Sequence, residues 1–235
     1  MKTNVYCSFA LPLAALAALG MMSTVVAMTT AVNQQSMTPS EVLHDLMAGN
    51  ARFIEGRLTK AGVDVISERK ATASGQYPKA VILSCLDSRV PVEFVFDQGI
   101  GDVFVGRVAG NIENEDQLGS MEFATKLAGA KLVMVLGHSG CGAVKGACDG
   151  AELGNLTGLL AKIKPAVDAV EGFEEGERNS SNKAFVAKVI EANVRQTVAD
   201  IRARSDILRE LEADGTIMIV GAVYDLKSGS VSLLD

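Results

Sequence analysis

The sequence predicts an α/β fold: a mainly parallel sheet of about four strands plus an edge strand, flanked by helices. Two observations carry this. Four short runs are apolar throughout: Lys79–Cys85, Asp102–Gly106, Lys131–Gly137 and Thr216–Val223. Strands without a polar face belong in a sheet covered on both sides. Between them lie helical patterns, at about 91–98, 114–129, 153–170 and 180–213. Strands alternating with helices pair in parallel through right-handed crossovers. After the turn at Lys227-Ser228-Gly229, residues 228–234 add the edge strand.

Ahead of this core, residues 8–27 form an apolar run behind a single basic residue, Lys2. The run ends in the small-x-small pattern Val25-Val26-Ala27, the signature of a cleaved secretory signal peptide. Its length approaches that of a membrane span, but Pro12, Gly20 and the Ala27 site favour cleavage over anchoring. The domain organisation read from the sequence is therefore a signal peptide over 1–27, a flexible leader over 28–37 and a single domain over 38–235. The leader is assigned because its Thr, Ser, Gln and Met residues show no periodicity. Thr38-Pro39-Ser40-Glu41 then supplies an N-cap and first-turn proline, and Val42, Leu43, Leu46 and Met47 repeat at helical spacing. The expected location is periplasmic or secreted, with no membrane association after cleavage.

Formal net charge is −6, and the signal segment contributes one lysine and no acid. An acidic chain without basic runs argues against a nucleic-acid partner. Cleavage leaves three cysteines: Cys85, Cys141 and Cys148. So small and odd a number in a chain this long is not a disulfide framework. A bound metal is one way to protect thiols in an oxidising compartment.

In a parallel sheet, ligands gather at the carboxyl ends of the strands. Two strands here end in reactive side chains, Cys85-Leu86-Asp87-Ser88-Arg89 and His138-Ser139-Gly140-Cys141. Glycines 137, 140 and 142 let the second loop turn tightly enough for His138 and Cys141 to face one ion. If the two strands are neighbours, Cys85 completes the set. Two thiolates and an imidazole suit zinc, and three protein ligands leave the fourth tetrahedral position open, as in a catalytic site. Asp87, two residues from Cys85, is either a fourth ligand or an acceptor for the proton of an attacking hydroxide. Arg89 is placed to hold its carboxylate through a bidentate, charge-assisted bond. Two other readings fail. Gly137–Gly142 lacks the Gly-Lys-Ser/Thr ending of a phosphate loop. A phosphatase built on Cys85 and Arg89 would carry a carboxylate between them that repels a phosphate dianion.

Together, Cys85-x-Asp87-Ser88-Arg89 and His138-x-x-Cys141 resemble the signature of β-class carbonic anhydrases. The resemblance spans roughly residues 38–235 and includes Gly49–Phe53, Gly101–Asn111 and His138–Ala143. It implies a single zinc-dependent domain with one Zn2+ per subunit, held by Cys85, His138 and Cys141, with Asp87 as a possible ligand. It also implies a carbonate dehydratase, in which zinc-bound hydroxide attacks CO2 to give bicarbonate while the Asp87–Arg89 dyad orients that hydroxide. The substrate pocket it implies comprises Gln76, Phe104, Ala109 and Phe123, the last standing where plant-type members carry a partner subunit's Tyr. The implied partners are CO2 and bicarbonate, and a second copy or three more in a homodimer or homotetramer. Some members close their site when bicarbonate binds among Trp, Arg and Tyr; here Arg107 and Tyr224 match, but Ile82 replaces the Trp, so closure is expected to be weak or absent. Two other functions use the same ligands: hydrolysis of COS or CS2, and zinc binding without catalysis.

Overall fold

The apolar runs do form strands, and their order places the two reactive loops side by side. The computed structural model describes residues 28–60 and 64–234. Strands β1 (Ala80–Ser84), β2 (Val103–Arg107), β3 (Leu132–His138), β4 (Met218–Tyr224) and β5 (Val231–Leu234) form one sheet in the order β2-β1-β3-β4-β5. The first four pair in parallel, and β5 runs antiparallel to β4. Thus β1 and β3, which carry Cys85 and His138 at their ends, are direct neighbours.

Although every residue of β1 and β3 is buried, their side chains sort by alternation. Val81, Leu83, Val133 and Val135 pack with Leu118, Met121, Val194, Val198 and Ile201. Ala80, Ile82, Leu132, Met134 and Leu136 pack with Val42, Leu46, Val92 and Phe96 on the opposite face. The helices that contribute to these two clusters are α2 (Pro39–Ile54) and α4 (Val92–Val95) on one side, α5 (Glu115–Glu122), α9 (Lys183–Arg204) and α10 (Asp206–Ala213) on the other. A third cluster lies at the carboxyl end of the sheet. It joins Cys85 and Cys141 to α6 (Gly142–Cys148), α8 (Lys164–Ala169) and α9 through residues such as Val144, Ile163, Phe185 and Ile190.

The helix at Thr38 begins with the expected cap: Thr38 Oγ1 accepts from Glu41 N, and the Glu41 carboxylate accepts from Thr38 N. Two predicted helices are divided. The stretch 153–170 becomes α7 (Gly154–Ala161) and α8, with Pro165 in the first turn of the second. The stretch 180–213 divides at Ser205, whose hydroxyl accepts from Leu208 N to start α10 and donates to Glu122 Oε1 at 2.6 Å. The predicted helix over 114–129 continues past α5 as a π turn over Phe123–Leu127.

Part of the stretch expected to be a flexible leader is helical and hydrogen-bonded to the domain. Residues Ala31–Ser36 form a short helix, α1. Gln34 Nε2 donates to the carbonyls of Pro78 and Ala128 at 2.7 and 2.8 Å. Thr29 gives both its N–H and its hydroxyl to buried Asp102. Long-range polar bonds dock this segment, and a search for apolar periodicity does not detect them. A further helix, α3 (Val65–Thr72), was not expected, because Val65 and Ile66 are exposed and supply no buried stripe. The signal-peptide assignment lies outside the described residues. Among the described residues, no helix is long and apolar enough to cross a membrane.

Candidate metal centre

Cys85 is the first residue beyond β1, and His138 is the last residue of β3. Gly140, with φ 68°, takes the left-handed turn that returns Cys141 toward them. The ligand atoms of Cys85, His138 and Cys141 lie within 4.8 Å of one another, and all three residues are buried. The two sulfurs are 3.9 Å apart, too far for a disulfide. That distance suits the edge of a tetrahedral zinc site, where two bonds of about 2.3 Å put sulfurs about 3.8 Å apart.

His138 is oriented by its other nitrogen. Nδ1 lies 3.0 Å from the Ser139 carbonyl, to which it donates, so Nε2 carries the free lone pair. Nε2 is buried and has no hydrogen-bond partner among the described residues. A buried acceptor left unpaired is costly, and a cation beside the two sulfurs removes that cost. The thiols make the same point. The Cys141 thiol, 3.9 Å from the Cys85 sulfur, lowers the Cys85 thiol, helped by His138 and by the N–H of Gly110, whose nitrogen is 3.3 Å from the sulfur. Cys141 is pushed up in return, as the donor to Cys85 and by burial. The pair thus shares one proton, and a divalent cation is its natural replacement. These donors fit zinc.

Asp87 sits beside this cluster but is bound to Arg89. Arg89 Nε and Nη2 donate to the two carboxylate oxygens at 2.9 and 2.7 Å, and Arg89 N adds a third bond at 2.9 Å. The guanidinium holds Asp87 well below the usual carboxylate range. Asp87 Oδ2 remains 3.8 Å from His138 Nε2. Arg107, at the end of β2, secures the same loop from the other side. Its Nε donates to the Cys85 carbonyl at 2.9 Å, and its Nη2 donates to the Asp87 carbonyl.

The four pocket positions separate. Phe104 and Phe123 meet edge to face, with ring centroids 6.1 Å apart. They line a cavity of about 810 Å³ along β2 that also includes Arg107 and Gln117. Ala109 opens the 3-10 turn Ala109–Asn111, next to the Gly110 that contacts Cys85. Gln76 is elsewhere. It precedes β1, whereas Cys85 follows it, and nine residues of extended chain span up to about 30 Å. It lines a separate hollow with Gln34 and Lys131 at the amino end of the sheet. A single chain therefore does not bring Gln76 to the cluster.

Sequence reasoning missed Asn193. Its Nδ2 donates to the Gly110 carbonyl at 2.8 Å from the buried face of α9. The available signal was an amide among Val189, Ile190, Val194 and Val198, on a helix face that is otherwise apolar apart from Thr197.

Comparison with known proteins agrees with this geometry. The family model for carbonic anhydrase matches residues 80–231, from β1 into β5. Carbonic anhydrase 2 of Mycobacterium tuberculosis is 38% identical over 195 residues, covering 81% of this chain and 90% of the relative. A carbonic anhydrase of Pseudomonas aeruginosa is 31% identical over 172 residues, 71% of this chain and 77% of the relative. Among solved structures, the β-carbonic anhydrase CafA of Aspergillus fumigatus superposes with a TM-score of 0.62 at 23% identity, over 82% of this chain and 90% of the other. One of two tetrameric β-carbonic anhydrases from Sordaria macrospora gives 0.60 at 25% identity, over 77% and 95%. A family match running from β1 through β4, with relatives this similar over most of the chain's length, shows that the chain belongs to the carbonic anhydrase family, on the β-class fold.

Proposed function

We propose that this protein is a carbonate dehydratase, that Cys85, His138 and Cys141 hold one zinc ion per subunit, and that Asp87 and Arg89 are its proton-handling dyad. The observation that carries the reading is the buried Nε2 of His138, without a hydrogen-bond partner among the described residues, beside two free thiols. A zinc ion held by these three residues would supply Lewis acidity, lowering the pKa of water toward about 7 so that a nucleophile is available at neutral pH.

The chain's own groups do the rest. Asp87, kept ionised by Arg89, accepts a hydrogen bond from the attacking hydroxyl at a carboxylate oxygen and aims its lone pair at the carbon of CO2. Arg89 binds both oxygens of that carboxylate and so holds it beside the ligand atoms without releasing it to them, with Oδ2 3.8 Å from His138 Nε2. So acidic a group does not retain the proton at neutral pH, and the proton passes to water and buffer. Phe104, Ala109 and Phe123 form apolar walls suited to uncharged CO2. Gln76, remote from the cluster of its own chain, contacts substrate oxygen from a second copy, so the working unit is a homodimer or a homotetramer. The tetrameric Sordaria macrospora relative supports this assembly. The apolar run at 8–27 supports export to the periplasm or beyond, with the signal segment removed.

Stopped-flow CO2 hydration, with zinc content measured on the same samples, tests the proposal. Zinc is expected in the wild-type protein and absent from Cys85→Ser; Asp87→Asn should retain zinc and lose turnover. Stoichiometric zinc without hydration, or faster turnover of COS or CS2 than of CO2, would overturn it.

A further inference from the structure

The Cys85 sulfur accepts a hydrogen bond from the Gly110 N–H, with 3.3 Å between nitrogen and sulfur, and the turn that provides this donor is held by a residue on a different element. Gly110 and Asn111 are consecutive left-handed residues, with φ 73° and 45°. Gly110 is confined there, since an added Cβ would lie 2.6 Å from Ile163 Cδ1. Asn111 has a Cβ and so bears strain in this conformation. Its buried side-chain Nδ2 has no hydrogen-bond partner among the described residues. Two bonds hold the turn. Asn111 N donates to the Val108 carbonyl at 3.0 Å, within the turn, and Asn193 Nδ2 donates to the Gly110 carbonyl at 2.8 Å, from α9.

We propose that Asn193 is a positioning residue for the metal centre: through Gly110 it fixes an N–H onto Cys85 Sγ and so sets the donor strength of that thiolate. The inference rests on the metal-centre reading above. An N–H···S bond withdraws charge from sulfur, which makes the thiolate a weaker donor and leaves more Lewis acidity for the water. Two thiolates donate more charge than neutral imidazoles, so a device that tempers one of them serves this ligand set. Without the Asn193 amide, the Gly110 carbonyl is left buried and unpaired, the strained turn is free to rotate, and the N–H leaves the sulfur.

Cobalt(II) substitution reads the thiolate directly through its sulfur-to-metal charge-transfer band. Asn193→Ala is expected to move that band to longer wavelength, because an unbonded thiolate gives up charge more easily. Metal affinity, measured by competition with a chelator, should change by about 10–100-fold. Asn193→Asp keeps the volume but removes the donor, and should move the band in the same direction. Val198→Ala is the control. It opens a cavity on the same helix in the other core cluster, and should lower stability while leaving the band in place. A band unmoved in a folded Asn193 variant, or moved equally by Val198→Ala, overturns the proposal. Should neither Asn193 variant fold, the wild-type protein decides: with isotopically enriched cadmium bound, NMR should show coupling between the metal and the Gly110 amide proton across the hydrogen bond, and its absence is equally decisive. Wild-type protein that takes up neither cobalt nor zinc defeats the metal-centre reading itself, a result distinct from an unmoved band.

Discussion

Arg89 binds Asp87 with three donors, two from the guanidinium and one from its own backbone, although only Ser88 separates them. The carboxylate is left with one oxygen facing the imidazole of His138 at 3.8 Å. Each group restrains the other, and the pair acts as a unit.

Asp87→Asn removes the acceptor and keeps the shape. Turnover is expected to fall by about 10²–10⁴-fold with zinc retained, measured by stopped-flow hydration beside metal analysis. Because Arg89 lowers the Asp87 carboxyl, it stays ionised down through mildly acidic pH. The activity limb between roughly pH 6 and 9 therefore belongs to water acidified at the metal, and conservative change at Arg89 should not move it upward.

Arg89→Ala frees the carboxylate to turn toward the ligand cluster. Zinc should remain bound, activity should fall, and the fall should be deepest at low pH, where water competes poorly for the open position. X-ray absorption on the zinc edge would show an added carboxylate oxygen in this variant; an unchanged ligand shell would refute the restraining role of Arg89.

Arg107 is committed to the carbonyls of Cys85 and Asp87, and Ile82 is fully buried within β1. Bicarbonate is therefore expected to inhibit hyperbolically, without cooperativity. Inhibition curves at several pH values test this. A sigmoidal response that disappears in Arg107→Ala would show the closure that this geometry disfavours.

Gln34→Ala leaves the carbonyls of Pro78 and Ala128 without their donor. The expected cost is about 1–3 kcal/mol, or about 2–10 °C in Tm for a chain of this size. Asp102 adds a pH dependence to the same region. Burial raises its carboxyl, but the Thr29 bonds, the nearby Lys79 and the Gly99 N–H outweigh that, and its net position is low. A carboxyl lower in the folded state than in the unfolded chain contributes stability above its unfolded value near 3.9. That contribution is lost as pH falls through the folded value, so thermal melts of Asp102→Asn and wild type should converge in acid.

The strands were legible because all-apolar runs have one home in an α/β fold, and the ligands were legible because Cys85 and His138 end two of those runs. What escaped was polar or contextual. The break at Ser205 looks like continuous helix until Glu122 is seen to accept its hydroxyl proton. Residues 28–36 have no stripe, only Thr29 and Gln34 reaching distant partners. Gln76 and Cys85 are close in sequence, and it is the extended backbone between them that separates them within one chain. Asn193 acts on Cys85 through the backbone of a third residue, a relation that no spacing rule encodes.

The alternation of side chains along β1 and β3 has a bearing on how this centre tolerates change. Cys85 keeps the parity of Val81 and Leu83, whereas His138 keeps that of Met134 and Leu136. The two ligands thus stand at the ends of neighbouring strands on opposite parity, and an ion held by both would staple those strand ends together there. A one-residue deletion in either strand reverses the parity of its end. Such a chain loses the staple outright instead of weakening it, which makes strand length a stricter constraint here than the identity of the apolar residues within it.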